Sequence, residues 1–101
     1  MSHGSSMVAT GDLTEPVRGI VAEVLMVPPG DVQPDSSLVG LGAESIDFLD
    51  LIFRIEEVVG KKVPVSRWEA FISTRLPSAD LSRAITLAIV VEFAEQERSR
   101  A

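Results

Sequence analysis

Cysteine is absent from the 101 residues, which excludes disulfides, thiolate-bound metals and a cysteine nucleophile. Histidine is almost absent too. The single His3 lies between Met1 and Met7, in a stretch that reads as an expression scar with the natural start near Met7. Without it no imidazole remains, so a Ser-His-Asp triad and a His-ligated metal are both out of reach. Aromatic residues make up only 5%, and aliphatic side chains must therefore build most of the core. No apolar run approaches the length that spans a bilayer and no signal peptide is recognisable. The expected location is cytoplasmic, without membrane insertion. No acid–base pair in a shared cleft can be named, so an enzyme is not expected.

What is present is globular composition, 46% hydrophobic and 24% charged, enough for one domain with one modest core. The net charge of −6 and pI of about 4.6 argue against nucleic acid, whose phosphates need a basic surface. Acidity suits a partner that presents Lys and Arg, because complementary charge speeds and orients encounter. It serves solubility equally well.

Along the chain, no repeat and no domain-splitting linker appears. Thr14, Glu15 and Pro16 mark a helix start, with Thr14 as the expected cap. Val17, Ile20, Val21, Val24 and Leu25 then give one apolar stripe, stopped by Val27-Pro28-Pro29-Gly30. A long connection follows to Glu44, a length that signals function or local packing. Leu38, Val39 and Leu41 are expected to pin it to the core. A second helix is predicted over 45–59, ending at Gly60-Lys61-Lys62. Ser66 is the expected cap of a short third helix through Phe71. Pro77 to Asp80 precede a last helix reaching about Arg98, with Leu81, Ile85, Ala88, Ile89 and Phe93 as its apolar positions. The expectation is an all-α bundle of three main helices plus one short one, with a long loop between the first two.

The second helix carries two apolar faces, where an ordinary surface helix carries one. At ~100° per residue from Ser45, Phe48, Leu51, Ile52, Ile55, Val58 and Val59 fall between ~220° and ~340°, a normal core face. Ile46, Leu49 and Phe53 fall between ~40° and ~100°, almost opposite. Asp50 and Glu57 edge this second stripe on one flank and Glu56 on the other. Asp47 and Arg54 lie between the faces, and Asp50 can pair with Arg54 four residues on. Either the fold packs this helix on both sides, or the strip docks a partner by burying apolar area while its acids meet basic residues. Ser45 opens the helix beside the strip. A serine there is also an ordinary N-cap candidate.

The run Leu41-Gly42-Ala43-Glu44-Ser45-Ile46-Asp47-Phe48-Leu49-Asp50, with Gly60-Lys61-Lys62-Val63-Pro64 after it, resembles the acyl carrier protein family. The family's hallmark is an Asp-Ser-Leu tripeptide, preceded by Gly, that opens an acidic helix. The similarity covers about residues 13–95 and is specific from Leu41 to Pro64. It implies that a phosphopantetheinyl transferase attaches 4′-phosphopantetheine to Ser45 and that the arm's thiol holds an acyl group as a thioester. The cofactor would then bring the sulfur that the chain lacks. It also implies docking of acyl-loading and acyl-processing enzymes, with basic surfaces, on Glu44, Ile46, Asp47, Leu49, Asp50, Phe53, Glu56 and Glu57. The acyl chain would lie among Phe48, Ile52, Ile55 and the last helix. Ser36 and Ser37 precede no acidic helix and rank below Ser45.

Three departures stand out: Glu44 where the family has Asp, Ile46 where it has Leu, and Trp68 with a long final helix. The run Ser45-Ile46-Asp47-Phe48-Leu49-Asp50 and the region from Val63-Pro64 to Trp68-Glu69 are similar to specialised carriers of unusual or very long acyl chains. The expected organisation is a scar and flexible segment over 1–12, a carrier domain over 13–98 and a flexible tail over 99–101, in a monomer. A discrete carrier for fatty-acid, specialised lipid or polyketide assembly is the main reading. A peptidyl carrier and an unmodified, carrier-like interaction module are the alternatives.

Overall fold

The computed structural model describes residues 13–76 and 84–100. Among them regular structure is helical, apart from one isolated bridge between Ser37 and Thr86. The order is α1 (Thr14–Leu25), a 3-10 turn (Pro29–Asp31), α2 (Ser45–Val59), α3 (Val65–Arg75) and α4 (Leu87–Ser99). The all-α expectation holds, as does the long loop between the first two helices. The third helix is not markedly short: it has 11 residues against 12 for α1.

Helix α1 begins differently from its expected cap. Thr14 is already helical, Leu13 is the cap residue, and the Leu13 amide donates to Glu95 Oε2 of α4 at 3.1 Å. A long-range carboxylate thus ties the start of α1 to α4. At the other end Val27 N donates to Ala22 O (3.0 Å) and Met26 N to Glu23 O (3.3 Å), the two bonds of a Schellman turn. Met26 occupies its left-handed position (φ 58°), where glycine is usual.

The connection to α2 is stitched down rather than loose. Val32 and Leu38 are fully buried, and Arg18 Nε donates to Val32 O at 2.8 Å. Leu38 N donates to Ile85 O, and Ala88 N to Pro34 O, each at 3.0 Å. Leu38 is the main pin of the three proposed, since Val39 and Leu41 are only half-buried.

These same bonds explain why α4 starts at Leu87, while the start expected after Pro77 to Asp80 lies outside the described residues. Ile85 and Thr86 are drawn out to pair with the loop, and Thr86 then caps the helix, its Oγ1 accepting from Ile89 N at 3.4 Å. Leu81 lies outside the described residues, and Ala88 is exposed. At its other end α4 includes Ser99, and Arg100 Nε donates to Glu97 Oε2. Helix α3 begins at Val65 with Pro64 at the cap position, two residues before the expected cap Ser66, which lies inside the first turn.

The core gathers Val17 and Val21 of α1, Leu51 and Ile55 of α2, and Leu87 and Phe93 of α4, all essentially inaccessible. With few aromatics, the chain concentrates them. Trp68 stacks on Phe48 and Phe71 (6.2 Å each) and meets Phe93 edge-on at 5.2 Å. Such pairs contribute about 0.5–1.5 kcal/mol beyond area burial and join α2, α3 and α4.

Candidate functional site

The approach to Ser45 is fixed before the helix begins. Gly42 adopts φ 106°, a conformation that strains any other residue, and turns the chain inward. Ala43 is then buried, with its amide on Leu38 O at 2.9 Å. Glu44 is extended and forms the N-cap. It makes a capping box with Asp47, whose Oδ2 accepts from Glu44 N at 2.8 Å. The Glu44 side chain faces the Asp47 amide without reaching hydrogen-bond geometry, and that amide donates instead to Glu44 O at 2.9 Å.

Ser45 is therefore the first helical residue and not the cap. It is exposed, and its hydroxyl has no hydrogen-bond partner among the described residues. The surroundings fit a covalent phosphodiester on that oxygen: the hydroxyl is free, it faces water, and the α2 N-terminus favours negative charge.

The second apolar stripe is not packed by the fold. Ile46 is 68% exposed, Leu49 44% and Phe53 65%. Of the flanking acids, Glu57 is exposed, and Asp50 Oδ1 accepts from Arg54 Nε at 3.3 Å. Arg54 reaches on to Glu23 of α1 at 2.9 Å, so the strip's edge is braced against α1. Glu56 has another job: half-buried, its Oε2 accepts from Val63 N at 3.0 Å and closes the turn after α2. Met26, 89% exposed, is the remaining large apolar side chain on the described surface. The residue pattern gave no warning of it, because a helix end is not visible as an exposed one.

The acyl path expected among Phe48, Ile52 and Ile55 is closely occupied. Ile52 and Ile55 are buried, and Trp68 covers Phe48. A cleft of about 400 Å³ opens elsewhere, between α3 and α4, lined by Phe71, Phe93 and three arginines. Among the described residues, no helix is long and apolar enough to cross a membrane.

Comparison with known proteins agrees with this geometry. Residues 15–74 match the phosphopantetheine attachment site family. An acyl carrier protein of Campylobacter hominis is 38% identical over 65 residues, 63% of this chain and 82% of that protein. The acyl carrier protein AcpXL of Rhizobium etli is 36% identical over 63 residues, 61% of this chain and 65% of that protein. AcpXL of Brucella melitensis is 36% identical over 53 residues, 52% of this chain and 57% of that protein. The chain thus spans less than two thirds of these two AcpXL proteins. No solved structure matches it. The cofactor of this family is 4′-phosphopantetheine, held covalently on a serine, and its members carry acyl groups rather than catalyse. An attachment-site match over more than half the chain, on a helical bundle with a free serine at the head of an acidic helix, places the chain in the acyl carrier protein family.

Proposed function

We propose that Ser45 carries the 4′-phosphopantetheine and that the exposed strip of α2 is where transferase and acyl-processing enzymes dock. The observation that carries this reading is the division of labour at the α2 N-terminus. Glu44 and Asp47 cap the helix, leaving the Ser45 hydroxyl exposed and unengaged. A hydroxyl committed to capping would have to break that bond before reacting.

When bound, the arm supplies the thiol on which an acyl group is held. The chain's own residues position and present it. Gly42, Ala43 and Leu38 fix the height of Ser45 above the core, so the arm leaves the bundle from a defined point. Ile46, Leu49 and Phe53 lie on the next two turns and offer apolar area to an enzyme, while Asp47, Asp50 and Glu57 offer charge to its basic residues. Glu44, at the cap, stands within the same contact zone. Glu56 contributes through the turn it closes. The carrier domain spans residues 13–98 and works as a cytoplasmic monomer. Its cargo belongs to fatty-acid, specialised lipid or polyketide assembly, and the AcpXL relatives favour the specialised lipid branch.

The test is intact-mass measurement after incubation with coenzyme A and several unrelated broad-specificity phosphopantetheinyl transferases. One phosphopantetheine per chain is expected, and none on Ser45→Ala. An adduct that survives that substitution would assign the wrong serine. No adduct with any transferase would leave the chain as an unmodified interaction module.

A further inference from the structure

The cleft between α3 and α4 is built from residues that the carrier function does not use. Its floor is the half-buried ring of Phe71, backed by the fully buried Phe93 at 5.3 Å between centroids. Its rim holds Arg67, Arg75 and Arg100, together with Glu92 and Glu97. Those five groups leave one positive charge in excess, on a chain whose net charge is −6.

Glu97 organises the site. It is 1% exposed, a buried carboxylate shared by Arg67 Nε at 3.0 Å and Arg100 Nε at 2.9 Å. One carboxylate therefore holds two guanidinium groups by their Nε edges. Arg75 is held the same way, its Nε 3.0 Å and 3.2 Å from the two oxygens of Glu92. Among the described residues, no hydrogen bond uses the η nitrogens of these three arginines.

We propose that this cleft binds an amphipathic monocarboxylate, its apolar body on Phe71 and its carboxylate on the Arg67 and Arg100 guanidinium groups. Guanidinium η nitrogens match a carboxylate in a two-bond fork, and an arginine pre-set by a buried partner loses little freedom on binding. The single excess charge selects a monoanion over a phosphate dianion. A volume of about 400 Å³ fits a small molecule and not a folded partner. No residue of α2 lines the cleft, so the site is independent of Ser45.

The probe is sodium octanoate, titrated below its micelle concentration into the full ¹⁵N-labelled chain, with amide shifts as readout. Saturable shifts are expected on α3 around Ala70 to Thr74 and on α4 around Phe93 to Gln96. Two variants keep the ligand effect separate from folding. Thr74→Trp fills the cleft from an exposed position and Arg100→Gln removes one fork at the chain's end. Each should weaken octanoate at least about tenfold, with the unfolding temperature of Thr74→Trp unchanged. 1-Octanol, which keeps the tail and lacks the charge, should bind at least about tenfold more weakly than octanoate. Equal binding of octanol would overturn the arginine clamp. Shifts confined to α2, no saturable shift, or full affinity in Thr74→Trp would overturn the site.

Discussion

Replacing Phe53 by Ala separates the two jobs a helix face can have. An aromatic side chain buries about 200 Å² when fully covered, so an exposure of 65% leaves roughly 130 Å² for a partner to take. At about 25 cal/mol per Å² that area contributes at most about 3 kcal/mol to docking, or roughly a hundredfold in affinity. Partial coverage reduces this to about tenfold. The fold itself should lose almost nothing, because Ala is the better helix former and the ring is mostly in water already. The assay follows phosphopantetheine addition as a function of carrier concentration, beside thermal unfolding of the same protein. The expected result is a KM raised about tenfold or more, kcat within a factor of about two, and stability within about 0.5 kcal/mol. Phe48→Ala is the opposite case on the same helix. That ring is half-buried and stacked on Trp68, so its loss should cost about 3 kcal/mol of stability. If Phe53→Ala unfolds the bundle while leaving KM alone, the strip serves the fold and the docking argument fails.

Leu38→Ala should destabilise the domain by about 3–5 kcal/mol in chemical denaturation, because this fully buried side chain anchors the long loop. It should also loosen Ser45, seen as faster hydrogen exchange at Ala43, whose amide bonds Leu38 O. Met26→Gly removes the strain of a left-handed methionine and should raise stability by a few tenths to about 1 kcal/mol, read from the denaturation midpoint. Glu44→Asp shortens the cap residue to a preferred type and should add about 0.5–1 kcal/mol, with phosphopantetheine addition to Ser45 undiminished.

Helix periodicity carried most of the architecture into view. Val17 and Val21, then Leu51, Ile52 and Ile55, are buried where the apolar spacing placed them. The two faces of α2 were also legible, because opposite stripes are a property of angle alone. What each face meets is not. The same stripe pattern suits a helix packed on both sides, and only the exposure of Ile46, Leu49 and Phe53 decides. Helix ends were read less well for a related reason. The start of α1 is held by Glu95 and the extended segment before α4 by the bridge to Ser37, partners 82 and 49 residues distant in the chain. Local sequence points to Thr14 as the cap of α1 and gives no sign of either long-range partner. The α3–α4 cleft was invisible for the same reason, since its arginines look like ordinary surface charges until Glu97 is found buried among them.

The one-residue offset between Glu44 and Ser45 decides the chemistry available at this site. Had Ser45 been the N-cap, its oxygen would have pointed back at the amides of the first turn and accepted from them, which lowers its availability as a nucleophile. With Glu44 in that place, the carboxylate of Asp47 takes the cap amide and Ser45 moves to the first helical position, side chain outward. The departure from Asp to Glu ahead of the serine therefore need not weaken the site. The cap is completed from Asp47, which reaches back whatever the length of residue 44. A phosphodiester on Ser45 would then lie beside the positive end of the α2 dipole, which favours its negative charge. Attachment and docking thus draw on different atoms of one helix. That separation makes it physically possible to alter Phe53 or Glu44 without touching the reacting oxygen.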